Sequence, residues 1–271
     1  MSEKKFYKLI FKQLQPIHIG IGRYGVISET RIFIPGWTMW GALTKKYNQL
    51  FENGDLSKNQ KLFEEITCFY PAFESESFRP LLPKWKNGEF YLGSYSETVF
   101  RAKFIDTYVS TSIVPLSRMA KDESLHEINI ILPSIKKEFS EEINKELFWV
   151  GIVKMNEDVK DKFLIENSLE LIIGGDSRYG FGKVILEKAE EIEESTQEYK
   201  NLNWSNFLPF SFTLDKIIVE SIIENIIEIE RGTNNFGVKS RGLYYLPGFN
   251  RDEFINANIK TLLNKGCLEI M

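Results

Sequence analysis

Apolar and polar positions alternate over Phe6 to Leu14 (FYKLIFKQL), a pattern that predicts a strand with one buried face. A loop broken by Gly20, Gly22 and Gly25 follows. Val26 to Ile34 (VISETRIFI) then reads as a second extended piece, stopping at the turn signal Pro35-Gly36. Beyond that turn Trp37, Trp40, Leu43, Tyr47 and Leu50 recur at helical spacing, which predicts a helix starting at Thr38. Residues 52–95, rich in Pro, Asn, Ser and Phe, predict a partly helical excursion from the core. Strand patterns return at Phe104 to Val114, Ser124 to Leu132 and Leu147 to Lys154. Asp158 to Leu171 predicts a helix with Val159, Phe163, Leu164 and Leu171 on one face, closed by Gly174-Gly175, after which Phe181 to Leu186 resumes an extended pattern.

Without its excursions the chain runs strand, helix, strand, strand, helix, strand. This is an α+β order of the ferredoxin-like kind. The core is expected over 1–190, with the insertion at about 52–95. Residues 191–271 are either a C-terminal extension or a degenerate second domain. The Ile/Val run within Phe210 to Glu230 fits a strand pair or a helix equally well. A short echo between Ile32 to Gly36 (IFIPG) and Tyr244 to Gly248 (YYLPG) is what a degenerate second repeat would leave, but chance often produces a match of that length, so it does not decide between the two.

Composition narrows the function classes. With 271 residues, 43% of them hydrophobic, there is material for one or two packed modules. Cys68 and Cys267 are far apart and show no C-x-x-C spacing, which argues against a disulfide framework and a structural zinc site, so no metal is expected and reduced thiols of a cytoplasmic protein are. No run approaches the roughly 18 apolar residues of a spanning helix, so neither export nor a membrane partner is expected. The net charge of −4 has the wrong sign for a free-standing nucleic-acid binder. The acidic stretch Glu187 to Glu198 (EKAEEIEESTQE) gathers much of the negative charge and leaves room for a basic face elsewhere.

Three segments carry candidate chemistry. Gly174 to Gly182 (GGDSRYGFG) combines Gly174, Gly175, Gly180 and Gly182, which permit close backbone approach, with Ser177, the cations Arg178 and Lys183, and the stacking faces of Tyr179 and Phe181. That composition suits an RNA backbone, or a tight turn. His18 to Gly25 (HIGIGRYG) is a second glycine-rich loop, bearing Arg23 and Tyr24. Arg31 to Lys46 adds a helix start that can hold phosphate and the basic pair Lys45 and Lys46. No G-x-x-x-x-G-K-[ST] and no G-x-G-x-x-G entering a helix occurs, so no cofactor is expected. His18 reads as a strand-end imidazole with one backbone hydrogen bond, and no acid–base pair is legible, so no catalytic residue is assigned.

In order along the chain, P-x-H-I-G-x-G, then E-T-x-x-x-I-P-G-x-T-x-x-G-A-L at Glu29 to Leu43, then I-G-G-D-S-R-Y-G-F-G-K-V at Ile173 to Val184 resemble the RAMP superfamily of CRISPR-associated proteins. Ser112 to Glu127 (SIVPLSRMAKDESLHE), with Arg118, resembles that family's hairpin between the two central strands. The resemblance implies an RRM-like core whose loops bind CRISPR RNA beside other subunits of a type III effector. Family members that process precursor RNA carry the glycine-rich loop near the C-terminus, whereas many residues follow Gly182 here. Target-cutting backbone subunits use an Asp ahead of the I-P-G turn, where this chain has only Glu29. The resemblance therefore implies a non-catalytic single-copy subunit, either one that caps the 5′ handle of the guide, the group favoured, or one that closes the opposite end of the filament. Two alternatives stay open: a metal-independent endoribonuclease using His18 or His126 with Tyr24 or Lys45, and a scaffold touching only protein.

Overall fold

The computed structural model describes residues 4–51, 59–142, 145–193, 211–213, 221–231, 236–248 and 261–270. The chain opens with β1 (Lys4–Gln13), the hairpin β2 (Gly20–Tyr24) and β3 (Ile27–Thr30), and α1 (Gly36–Leu50). Then come β4 (Tyr70–Ala72), three short strands β5 (Pro83–Lys86), β6 (Glu89–Leu92) and β7 (Tyr95–Ser96), and α2 (Glu97–Phe104) running directly into β8 (Ile105–Ser110). Next follow β9 (His126–Ile131), β10 (Phe148–Asn156), α3 (Glu157–Phe163), β11 (Glu170–Ile172) and β12 (Lys183–Ile192). The described C-terminal elements are β13 (Ser211–Thr213), β14 (Ile223–Arg231), β15 (Phe236–Tyr245), β16 (Thr261–Asn264) and β17 (Cys267–Ile270).

The central sheet has the order β11-β12-β1-β10-β4 and is antiparallel throughout. Its middle strand, β1, is paired on both edges, and Leu9, Ile10 and Phe11 are all buried, so both faces of the strand are covered there. This differs from the expected one-sided strand. The lone charge among them, Lys8, is buried with its ammonium 3.7 Å from Glu190. Phe11, Phe69 and Trp149 join α1 and α3 in one core, where Tyr47, Phe63 and Phe163 meet at centroid distances of 5.3 to 5.7 Å. Gln13 is buried and fully engaged: it accepts from Trp149 Nε1 at 3.0 Å and donates to Ile131 O at 2.8 Å. Removing either partner would leave a buried amide unpaired, at about 1–3 kcal/mol. Gln13 thereby fastens the central sheet to the end of β9.

The strands expected at Phe104 to Val114 and Ser124 to Leu132 are present as β8 and β9, but they do not lie in the central sheet. They form a separate four-stranded sheet, β2-β3-β9-β8. In the central sheet β1 is flanked instead by β12 and β10, and the other neighbour of β10 is the edge strand β4, which the supposed excursion supplies. Three residues with a proline, Tyr70-Pro71-Ala72, carry no readable period, which is why the edge strand was invisible.

The expected helix over Asp158 to Leu171 stops at Phe163. Asn167 takes a left-handed φ of 56°, and from Leu169 onward buried Leu169, Leu171 and Ile173 alternate with exposed Glu170 and Ile172. That period of two is a strand signal, and a strand forms there. The described part of the C-terminal Ile/Val run forms β14, paired antiparallel with β15, while its residues 214–220 lie outside the described residues. The turn between β16 and β17 packs against α1. Gly36 is so close to Gly266 that a Cβ on Gly36 would lie 2.4 Å from Gly266 Cα. Protein backbone thus covers Gly36, the first residue of the helix, on the side of the β16–β17 turn.

Candidate nucleic-acid interface

The glycine-rich segment connects β11 to β12, so it joins two strands rather than a helix and a strand. Main-chain hydrogen bonds hold it onto the first loop. Gly182 N donates to Pro16 O at 2.8 Å, Gly175 N to His18 O at 2.9 Å, and Ile173 N to Gly182 O at 2.9 Å. Two of the glycines are demanded by this contact. At Gly174 (φ 82°) a Cβ would fall 2.1 Å from His18 O, and at Gly182 (φ 95°) one would fall 2.2 Å from Ile173 O. Close approach here is to the protein's own chain, and Gly182 is buried. Gly180 (φ 83°) differs, with nothing within 4 Å of a Cβ, so it serves the turn alone.

His18 is the strut of this arrangement. Its Nδ1 lies 2.8 Å from Asn129 O, which can only accept, so Nδ1 carries the proton. Its Nε2 then faces Asp176 Oδ2 at 3.9 Å, beyond hydrogen-bonding range. The ring is buried and structural, as the sequence indicated.

Residues Gly174 to Gly180, including Ser177, Arg178 and Tyr179, are exposed around a short 3-10 turn. Tyr179 Oη is 3.0 Å from His126 Nε2. Phe181 is no stacking face: it is buried against Ile128 and Ile130. Lys183 is tied to Glu170 at 2.8 Å. Because β3 runs parallel to β9 and Val26 O accepts from Glu127 N at 2.9 Å, the β2–β3 hairpin with Arg23 and Tyr24 sits at the end of the sheet where His126 lies. The exposed connection 111–125, with Arg118 in it, leaves from that same end.

On the other side of the glycine-rich loop is a groove of about 440 Å³. Thr38, Gly41 and Lys45, spaced three and four residues apart, present one face of α1 to it beside Trp37, opposite Gly20 and Gly174-Gly175. Arg31 also lines it, but forms an ion pair with Glu224. The loop therefore lies between Lys45 and the sheet end that bears Arg23 and Arg118. Sequence reasoning missed Tyr108, whose ring lies 5.2 Å from that of Tyr179; its place on a strand facing the loop is a matter of register, which the sequence alone leaves unset.

The charges are unevenly distributed. Lys4 pairs with Glu65, Lys5 with Glu191, Lys12 with Glu146, and Lys8 and Lys188 with Glu190. The hydrogen bond from Lys188 holds the Glu190 carboxyl below its ordinary range. Arg23, Lys45, Arg118 and Arg178 are exposed and have no ion-pair partner among the described residues. Other exposed cations without an ion pair among the described residues, such as Lys61, Arg79, Lys86 and Lys162, lie elsewhere on the chain, so these four form a local group beside the two glycine-rich loops and are not the whole of its uncompensated charge. Among the described residues, no group of three His, Cys, Asp or Glu is placed to hold a metal ion, and no helix is long and apolar enough to cross a membrane.

The sequence matches no family model and no curated protein. Among solved structures, the fold is similar to that of a chain in the cryo-EM structure of the type III-B Cmr-beta bound to cognate target RNA and AMPPnP, state 1. That pair has 17% identity, coverage of 94% of this chain and 90% of that chain, and a TM-score of 0.56. A chain in the cryo-EM structure of the type III-B Cmr-beta bound to cognate target RNA is similar at 15% identity, over 97% of this chain and 98% of that chain, with a TM-score of 0.55. The protein accordingly has a mixed α+β fold, with several sheets and few helices, of the kind found in Cmr subunits.

Proposed function

We propose that this chain is a guide-RNA-binding, non-catalytic subunit of a type III CRISPR effector ribonucleoprotein, acting in cytoplasmic antiviral defence beside other effector subunits. The carrying observation is the exposed loop Gly174 to Gly180, with unpaired Arg178 on it, set between Lys45 and the sheet end of Arg23 and Arg118. Such spacing suits a ribose–phosphate chain that passes from the groove over the loop, its charge met by Lys and Arg and its backbone approached by side-chain-poor main chain. In this reading residues 1–190 are a RAMP core, with β12-β1-β10-β4, α1 and α3 forming its ferredoxin-like part, and residues 191–271 are an extension docked on it. The 5′-handle-capping group fits best, because among the described residues neither imidazole has a carboxylate within hydrogen-bonding range and the segment ahead of the I-P-G turn offers only Glu29. Likeness of fold to chains of RNA-bound Cmr-beta particles supports the assignment.

The test is filter binding of a single-stranded CRISPR-repeat RNA over a salt series. The double variant Lys45→Ala with Arg178→Ala should bind more weakly, and its salt slope should be shallower by about 1–2. Lys183→Ala, which loses a cation already committed to Glu170, should change the slope by much less. An unchanged affinity and slope in the double variant would remove the basis of the assignment.

A further inference from the structure

The register of β8 and β9 puts a set of rings on one face of the four-stranded sheet. Tyr108 lies opposite Ile128, and Ser110 opposite His126, so Tyr108, Ile128 and His126 share a face. The glycine-rich loop crosses that face. Phe181 enters the floor against Ile128 and Ile130, its ring meeting Tyr108 edge-on at 5.4 Å and 86°. Tyr179 lies beyond it, 5.2 Å from Tyr108 and 6.1 Å from His126.

The orientation of Tyr179 is fixed by hydrogen bonds. His126 Nδ1 lies 3.2 Å from Ser124 O, an acceptor, so Nδ1 bears the proton and Nε2 accepts from the Tyr179 hydroxyl. With its hydroxyl engaged, the ring cannot turn freely. Tyr108 and Tyr179 are nevertheless 37% and 42% exposed. Two adjacent, oriented aromatic faces open to solvent, with Arg178 next in sequence, form a surface for a flat π system attached to a phosphate chain.

We propose that Tyr108 and Tyr179 form a stacking platform for an unpaired base of single-stranded RNA, with His126 as the positioning residue that sets the Tyr179 ring. This rests on the RNA-binding reading above and adds to it: cations around the loop hold phosphates, and this face holds a base. The platform makes no hydrogen bond to a base edge, so it takes any base, and purines more strongly because they offer a larger face.

The experiment uses the full chain and a single-stranded oligouridylate carrying one 2-aminopurine, whose fluorescence falls when the base stacks. Wild-type protein should bind it and quench the fluorophore. Tyr179→Ala should weaken binding about tenfold and abolish the quench, within the range of losses seen when a stacking aromatic is removed. Tyr179→Phe, which keeps the ring but releases it from His126, should quench less than wild type and more than Tyr179→Ala, and Tyr108→Ala should also reduce the quench. If Tyr179→Ala binds and quenches as wild type does, the platform is wrong while the RNA-binding reading stands, and the aromatic face is left to a protein neighbour. If wild type binds no RNA, both fall together.

Discussion

Substituting alanine at Gly174 and, separately, at Gly180 isolates the cost of the contact between the two glycine-rich loops. Both residues are left-handed, with φ of 82° and 83°, so each alanine carries about 1–2 kcal/mol of backbone strain. Only at Gly174 does the new Cβ meet an atom, the His18 carbonyl oxygen at 2.1 Å. That oxygen cannot swing aside easily, because the His18 ring is pinned to Asn129 O and the carbonyl accepts from Gly175 N. Relief requires the loops to part, at about 1 kcal/mol for the lost hydrogen bond and a further 1–3 for the overpacking. Gly174→Ala should therefore cost about 3–6 kcal/mol and Gly180→Ala about 1–2. At about 2–4 °C per kcal/mol for a chain approaching this size, Tm should fall by about 13 °C in the first case and about 4 °C in the second. Urea unfolding followed by tryptophan fluorescence gives the two midpoints. Equal losses would refute the idea that the His18 carbonyl makes Gly174 obligatory.

Other consequences are as direct. The Arg31–Glu224 pair is largely buried, so Arg31→Ala, which strands the carboxylate, should cost about 3–5 kcal/mol in urea unfolding, while Arg31→Met with Glu224→Met should recover most of it. Burial pushes the Cys68 thiol up to about 11 from an ordinary 9.0. The folded state then keeps a proton that the unfolded chain releases above pH 9, so Cys68 contributes a fall of about 2–3 kcal/mol in stability between pH 9 and 11 that Cys68→Ala should abolish. Native Cys68 should also resist a disulfide reagent at pH 8 and react only once the chain is unfolded, as a rapid colorimetric thiol assay would register.

Much of the fold was legible where a strong period met a strong stop. The helix after Pro35-Gly36 and the strands at Phe6, Ser124 and Leu147 exist where apolar residues recur, although β1 buries both of its faces, and the piece from Val26 is a strand only over Ile27–Thr30. What was hidden is pairing. No local pattern shows that β8 and β9 leave the central sheet, since that choice is made by Gln13 and Ile17 bonding Ile131 across more than a hundred residues. Leu169 to Leu171 reads as the end of a helix because Leu164 and Leu171 also satisfy helical spacing, and only the left-handed Asn167 separates the two periods. At the candidate site, the glycines, Arg178 and Tyr179 were readable from composition. The commitment of Lys183 to Glu170, the burial of Phe181 and the arrival of Tyr108 beside Tyr179 all depend on strand register and were not.

The turn at Lys265-Gly266 has a consequence for synthesis. Gly266 N donates to Ile66 O at 2.7 Å, its carbonyl lies 3.6 Å from Cys68 Sγ, 198 residues earlier, and Gly36 rests on its Cα. A nascent chain on the ribosome can assemble the central sheet once β12 has emerged, yet it must wait with the first helix uncovered until this distant turn arrives. Such a long interval favours chaperone engagement and makes late closure, rather than early sheet pairing, the step most exposed to error.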